Sequence, residues 1–141
     1  MSSLEHAAQL FLGTEVDARG DYNFPQGLVA VRSLRSPEKE TPNEDAAAVI
    51  PVADGVLVLA VADGVGGTPS GRAASNVTVQ TLSTVLTSRA GEAAQLRPAI
   101  LDAMEQANDA VLEIARGAAT TLVIAEIVDR RLRSYHVGDS E

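Results

Sequence analysis

The sequence predicts an α+β protein whose strands form an antiparallel β-sandwich flanked by helices. Two pairs of apolar segments, Asp45–Val52 with Val56–Ala62 and 120–128 with 131–138, are each joined by a short turn signal. The region between the pairs has apolar residues at helical spacing. Strand pairs separated by helices, without regular strand–helix alternation, are typical of α+β folds. The strands are apolar at consecutive positions, which predicts burial on both faces, as in packed sheets covered by helices.

The first part of the chain is expected to be less regular. Residues 2–12 predict a short helix, with Ser2 or Ser3 as its N-cap and apolar residues on one side. The next stretch, "GDYNFPQG", is rich in turn residues, and "GLVAVRSL" at 27–34 predicts a strand. A polar loop with two prolines, "RSPEKETPNE", follows.

Turn residues define both hairpins. Asp54-Gly55 separates the first two apolar segments, and Asp-Gly between strands is the strongest short hairpin signal. The second strand pair turns at Asp129-Arg130. We therefore expect two antiparallel hairpins, one before and one after the helices.

Two helices are predicted between the hairpins. Residues 70–88 carry apolar side chains near helical spacing, and Ser70 could act as the cap. In 95–115 one apolar face is more regular, and Gly117 ends the helix. Pro98 fits only in the first turn of that helix. The residues of the face are Leu96, Ile100, Met104, Ala107, Val111 and Ile114.

Composition excludes several classes of function. The net charge of −8 argues against general nucleic-acid binding, because few cations are present to displace phosphate counterions. The absence of cysteine excludes disulfides and thiolate metal sites, and only His6 and His136 could offer imidazole. A metal site would therefore use oxygen ligands, which suits Mg²⁺ or Mn²⁺. No segment approaches the length of a membrane span and no basic leader is evident, so we expect a cytoplasmic protein without membrane partners.

The first hairpin brings acidic residues together at its open end. If Asp54-Gly55 is a two-residue turn, Ala46 lies opposite Asp63, and Glu44 shares their face because side chains alternate along a strand. Asp45 would then begin on the other face. Two carboxylates 4 Å apart repel by about 4 kcal/mol at an effective dielectric near 20, so one is protonated or a cation lies between them. A hard divalent cation suits such a site.

Phosphate-binding loops are the main alternative from a different class. Gly66 and Gly71 have the spacing of a P-loop, but Arg72 stands in place of its lysine and Ala73 in place of its hydroxyl residue. The dinucleotide-binding pattern fails at Pro69. A phosphate-binding module using this loop and the following helix start would bind nucleotide without metal.

Four motifs in order resemble the PPM/PP2C-type metal-dependent serine/threonine phosphatases. They are "NEDA" (43–46), "VLAVADGVGG" (58–67), "GAATTLVIAEI" (117–127) and "HVGDSE" (136–141). The resemblance extends from about residue 27 to the end, so residues 1–26 are interpreted as an N-terminal extension and 27–141 as a partial phosphatase domain. Together, the four motifs are far more specific than any one alone.

The resemblance implies a PP2C-like αββα fold with a binuclear Mn²⁺ or Mg²⁺ centre at one end of the sandwich. By motif position, Asp63 would bridge both metals, and Glu44 would bind the second together with the Gly64 carbonyl. Asp45 would orient metal-bound water, and Asp139 would lie near a third, weaker metal site. A metal-bridging hydroxide would attack the phosphoryl group directly, because two cations make bound water more acidic and stabilise the transferring oxygens.

Three features depart from the family pattern. The arginine that often contacts substrate phosphate is replaced by Glu40, and Arg32 and Arg35 lie in a different register. Val65 stands where eukaryotic members have histidine, and many bacterial members also have valine there. The family's later "DG" and "DN" aspartates do not occur before Glu141, so we expect the sequence to supply about half of a catalytic domain and to show negligible turnover alone.

The resemblance therefore predicts metal-dependent dephosphorylation of phosphoserine and phosphothreonine proteins, in a bacterial signalling role. The partners would be a phosphoprotein substrate and a cognate Ser/Thr kinase. The alternative is a catalytically inactive PPM-like module that binds or regulates a partner. The acids Glu44 and Asp63 favour the enzyme, whereas Glu40 favours the inactive module.

Overall fold

The computed structural model describes residues 7–66, 69–89 and 95–141. Within these residues the chain forms strands and helices in the order β1 (Gln9–Leu12), β2 (Ala18–Phe24), β3 (Gly27–Ser33), β4 (Asp45–Ala53), β5 (Val56–Asp63), α1 (Pro69–Ser88), α2 (Leu96–Ile114), β6 (Leu122–Val128) and β7 (Arg131–Val137).

The described strands form two sheets in which every neighbouring pair is antiparallel. The larger sheet has five strands in the order β1-β4-β5-β6-β7, and β2 pairs with β3 in a separate two-stranded sheet. The predicted α+β class and both predicted hairpins are confirmed.

Both hairpin turns contain left-handed backbone, at Gly55 in the first turn and at both central residues of the second. Gly55 has φ +74°, and the second turn places Asp129 at φ +48° and Arg130 at φ +68°. Positive φ at both central residues matches the right-handed twist of the flanking strands. Aspartate tolerates this conformation better than most residues do, whereas arginine at the second position is a departure from the usual glycine.

The helices cover one face of the large sheet. In β5, Val58, Ala60 and Ala62 point to this face and are almost fully buried. Leu82 and Ile100, from the two helices, are equally inaccessible and belong to the same core. The core is thus an aliphatic layer between sheet and helices, as the low aromatic content of 3% requires.

Both predicted helices are confirmed, but α2 ends at Ile114 with Ala115 as its C-cap, and not at Gly117 as predicted. The helix α1 begins at Pro69, so Ser70 lies within its first turn and does not act as the N-cap. The buried face of α2 includes most of the predicted positions, and Met104 is half-buried at its margin. Within the described residues, neither helix combines the length and the apolar character needed to cross a membrane.

The prediction of a helix over residues 2–12 is wrong for the part that the structure describes, while residues 1–6 lie outside it. Gln9–Leu12 form β1, which pairs with β4, and Phe11 is 7% exposed. A helix of this length is marginal by itself. Pairing with β4 instead satisfies the backbone groups of this segment, so tertiary contact overrides the local pattern.

The turn-rich stretch "GDYNFPQG" is mostly strand. It forms the end of β2, where Asp21, Tyr22 and Asn23 pair with residues of β3, and only Pro25 and Gln26 make the turn. Strand preference depends strongly on the pairing partner, which explains why polar residues are accommodated here.

Burial on the second face of the large sheet is incomplete among the described residues. Val49 and Leu57 are buried on this face, as predicted, but Val61 is 53% exposed. A cavity of about 410 Å³ lies between β3 and the strands β4 and β5. The second face is therefore only partly covered by β2 and β3.

Candidate metal centre

Two aspartates face each other at the end of the large sheet where β4 begins and β5 ends. Asp45 pairs directly with Asp63, and we call these two residues the carboxylate pair.

A bulge in β4 produces this pairing. Ala53 lies opposite Val56 as predicted, but the bulge leaves Val52 without a partner, so Pro51 lies opposite Leu57. One extra residue reverses the alternation of faces beyond the bulge.

The bulge corrects the predicted position of Glu44. The prediction that Glu44 and Asp63 share one face is wrong, because Asp45 takes that position and Glu44 alternates to the helix side. There the Glu44 carboxyl group lies beside the first turn of α1, since a Cβ added to Gly71 would come within 3.3 Å of its Cδ atom. The three acids still line one pocket of about 180 Å³.

Gly64 and Gly71 allow the backbone to close around this end of the sheet. A Cβ on Gly64 would collide with the Gly71 carbonyl group. The Gly64 N–H donates to the Glu44 carbonyl oxygen at 3.0 Å, which joins the segment after β5 to the residue before β4. Only glycine permits such close approach of two backbone segments.

The carboxylate pair is electrostatically unfavourable in the absence of a cation. Burial raises the pKa of the Asp45 carboxyl group, and the charge of Asp63 and a hydrogen bond to Asp63 raise it further. Lys39 acts in the opposite direction with a smaller effect. Two carboxylates in one site resist double ionisation, so they share a proton or bind a cation.

Asn43 holds the Asp45 backbone in position, a role that sequence reasoning missed. It is 5% exposed, and its Nδ2 donates to the Thr14 carbonyl oxygen at 2.9 Å and to Ser33 Oγ at 3.0 Å. Its Oδ1 accepts from the Asp45 N–H at 3.1 Å. The Gly13 N–H donates to the Asp45 carbonyl oxygen at 3.1 Å. Asparagine in "NED" is the signal, because this side chain often bonds a backbone N–H two residues on.

The Asp63 backbone is held on its other side by the third and fourth motifs. Its N–H donates to Thr121 Oγ1 at 3.2 Å, and its carbonyl oxygen accepts from the Thr121 N–H at 2.9 Å. Thr121 Oγ1 and Ser140 Oγ are 2.7 Å apart. Gly138, with φ +95°, leaves room for Thr121, since a Cβ there would lie 2.9 Å from Thr121 Cγ2. The four sequence motifs thus converge at this end.

Asp139 reaches the same end but does not line the pocket of the carboxylate pair. It is exposed, next to Ser140. In the ranges that the structure describes, no three His, Cys, Asp or Glu side chains gather closely enough to hold a metal ion. The carboxylate groups at this end of the sheet offer oxygen ligands, which are the type that Mg²⁺ and Mn²⁺ prefer. The carboxylate pair therefore fits part of a cation's coordination shell.

The glycine loop after β5 is described only in part, because residues 67–68 lie outside the described ranges. Gly71 belongs to α1, and its carbonyl group faces Gly64. Arg72 Nη1 pairs with Glu15 at 2.9 Å. In a phosphate cradle, backbone N–H groups and a free cation face the ligand. The described part of this loop instead packs against the candidate metal centre.

Comparison with known families agrees with this architecture. Residues 36–141 match the family model of protein phosphatase 2C. The chain belongs to this family, whose members generally depend on Mn²⁺ or Mg²⁺. Searches of curated proteins and of solved structures gave no match.

Proposed function

We propose that this chain carries part of the active site of a metal-dependent phosphatase that hydrolyses phosphoserine and phosphothreonine in proteins. The observation that supports the proposal most strongly is the carboxylate pair, in which Asp45 faces Asp63 at the ends of two rigid strands. Repulsion within the pair favours a bound cation, and membership of the phosphatase family supports its use in phosphoryl chemistry.

In this proposal the carboxylate pair binds Mn²⁺ or Mg²⁺ and Glu44 adds a ligand from the helix side. The Gly64 carbonyl oxygen is a further donor, and Asp139 serves a third, weaker site.

When bound, divalent cations stabilise the charge of phosphoryl oxygens and make water more acidic. Asp45 would orient the attacking water. Hydrogen bonds to Thr121 on both sides of Asp63 keep that residue in place without metal, which lowers the cost of assembling the site.

The proposed substrates are phosphoproteins of a bacterial signalling system, and the proposed partner is a Ser/Thr kinase that phosphorylates them. The cytoplasm is the proposed location. The family's dependence on hard divalent cations agrees with a chain that contains no cysteine.

Asp63→Asn tests the function. We expect it to weaken Mn²⁺ binding, measured by calorimetry, and to lower any Mn²⁺-dependent hydrolysis of a phosphoserine peptide. Loss of a residue that binds the metal directly should weaken Mn²⁺ affinity by more than the roughly 10–100-fold that follows loss of a residue hydrogen-bonded to a ligand. Asp129→Asn is the matched control, because this exposed turn residue makes the same change of charge away from the site.

Unchanged Mn²⁺ affinity and activity in Asp63→Asn would contradict the proposed function. Binding of Mn²⁺ without hydrolysis, in a chain that also supplies the family's later aspartates, would instead favour the non-catalytic binding module.

A further inference from the structure

The pocket beside the carboxylate pair has one basic wall. It is formed by the loop between β3 and β4, and its volume of about 180 Å³ suits a phosphate-sized group. Arg35 and Lys39 are the cationic residues that line it, together with the three acids. A phosphate monoester carries a charge of about −1.5 to −2 near neutral pH, so cationic donors offset its repulsion from the acids of the pocket.

Two hydrogen bonds to the backbone of Lys39 hold this residue in the wall. The Lys39 N–H donates to the Ser36 carbonyl oxygen at 3.3 Å, which closes a turn. Arg35 Nη1 donates to the Lys39 carbonyl oxygen at 3.2 Å. Glu15 lies 3.5 Å from Arg35 Nε and fixes this arginine in turn. The loop is therefore tied down at the residue whose side chain lines the pocket.

Arg35 and Lys39 differ in how many of their hydrogen-bond donors are already engaged within the chain. Arg35 is engaged by Glu15 and by the Lys39 carbonyl oxygen. For Lys39, no ion pair with a carboxylate occurs within the described ranges. Lys39 is an exposed residue, and its charge acts to lower the pKa of Asp45. Lys39 thus has donors available for a ligand beside the carboxylate pair.

Neighbouring charged residues do not share this position. Arg32 donates to both carboxylate oxygens of Asp17, at 3.1 and 3.2 Å, and does not line the pocket. Glu40 follows Lys39 directly and is also absent from the lining. The basic character of the wall is therefore specific to Arg35 and Lys39.

We propose that Lys39 is a binding residue that contacts the phosphate group of the substrate. This inference rests on the proposed function, and it concerns the substrate phosphate rather than the metal. The lysine ammonium acts as a compact point charge with three donors, and its flexible side chain can follow a phosphate group as it approaches.

The test compares Lys39→Gln with Arg32→Gln, which removes the same charge from a residue that does not line the pocket. The probe is inorganic phosphate, titrated in the presence of Mg²⁺ and followed by ³¹P NMR. We expect Lys39→Gln to weaken phosphate binding by about tenfold or more, as loss of a charged hydrogen bond does. Arg32→Gln should bind as the wild type does, and Lys39→Arg should retain most of the affinity. Mn²⁺ affinity, measured separately by electron paramagnetic resonance, should be similar in all variants.

Each other outcome is informative. Wild-type phosphate affinity in Lys39→Gln, or equal weakening in Lys39→Gln and Arg32→Gln, would overturn the role of Lys39 while leaving the metal centre in place. Mn²⁺ binding by the wild type without phosphate binding would overturn it as well. If the wild type binds neither Mn²⁺ nor phosphate, the proposed function itself fails, and this inference fails with it.

Discussion

Asp17, before β2, and Asp45, at the candidate metal centre, are two acids in opposite electrostatic environments. Hydrogen bonds from Arg19 and then Arg32 lower the pKa of Asp17 to about 2. Burial and Asp63 raise the pKa of Asp45. Asp17 is stabilised by partners within the chain, whereas the charge of Asp45 is opposed by its nearest neighbours. An acid opposed in this way at a strand end is the better candidate for a ligand site.

The largest expected effect on stability concerns the framework of the carboxylate pair. Asn43→Ala removes the donors to Thr14 and Ser33 and the acceptor for the Asp45 N–H. Because a buried polar group without its partner costs about 1–3 kcal/mol, we expect a loss of about 3 kcal/mol in the free energy of unfolding. Urea denaturation measures this loss.

Asn43→Asp is the control for that substitution. It keeps an acceptor for the Asp45 N–H but removes the Nδ2 donor, and it adds a fourth acid beside Glu44, Asp45 and Asp63. A loss below about 0.5 kcal/mol for Asn43→Ala, the size of an ordinary surface substitution, would show that Asn43 does not hold this end of the sheet together.

A smaller effect, of opposite sign, is expected for Asp45→Asn without metal. A raised folded-state pKa means that this carboxyl group stabilises the fold below its unfolded pKa and loses that contribution as pH rises through the folded value. Asp45→Asn removes the ionisable group and so should raise Tm at pH 7. The difference from wild type should shrink as the pH is lowered towards 4.

Thermal melts from pH 4 to pH 7 in a chelating buffer measure this difference. A lower Tm for Asp45→Asn at pH 7 would contradict the unfavourable interaction within the pair. Added Mn²⁺ should reverse the order, because only the wild type has both carboxylates.

The smallest effect is expected at Asp17. Its lowered pKa means that its interaction with Arg19 and Arg32 is present above the unfolded pKa of about 3.8 and is lost as pH falls through about 2. Asp17→Asn should therefore lower Tm slightly at pH 7, and the difference should disappear in strong acid and diminish in high salt, since the group is exposed. A Tm loss as large as that of Asn43→Ala would break the contrast between the two regions.

Much of the fold could be predicted because its signals are local. The turns at Asp54-Gly55 and Asp129-Arg130 and the apolar segments beside them define both hairpins, and helical spacing defines α1 and α2. The segment at Gln9–Leu12 could not be assigned from its own residues, because it becomes a strand by pairing with β4, some forty residues later in the chain.

The acids of the candidate site stand out in the sequence, but their geometry does not. The acids at strand ends indicated Glu44, Asp45 and Asp63, yet the bulge at Val52 reversed which of them face each other. A bulge depends on how the strand fits its neighbours, which no single segment of sequence discloses. The hydrogen bonds of the Asn43 side chain likewise depend on backbone groups that only the fold brings together.

The central claim is that the carboxylate pair is a cation site. Crystals of the protein grown with Mn²⁺, with diffraction measured near the manganese absorption edge, locate the metal directly. We predict an anomalous peak between the carboxyl groups of Asp45 and Asp63. A peak found only elsewhere, such as beside Glu105 and Asp109 of α2, or no peak at saturating Mn²⁺, would contradict the claim.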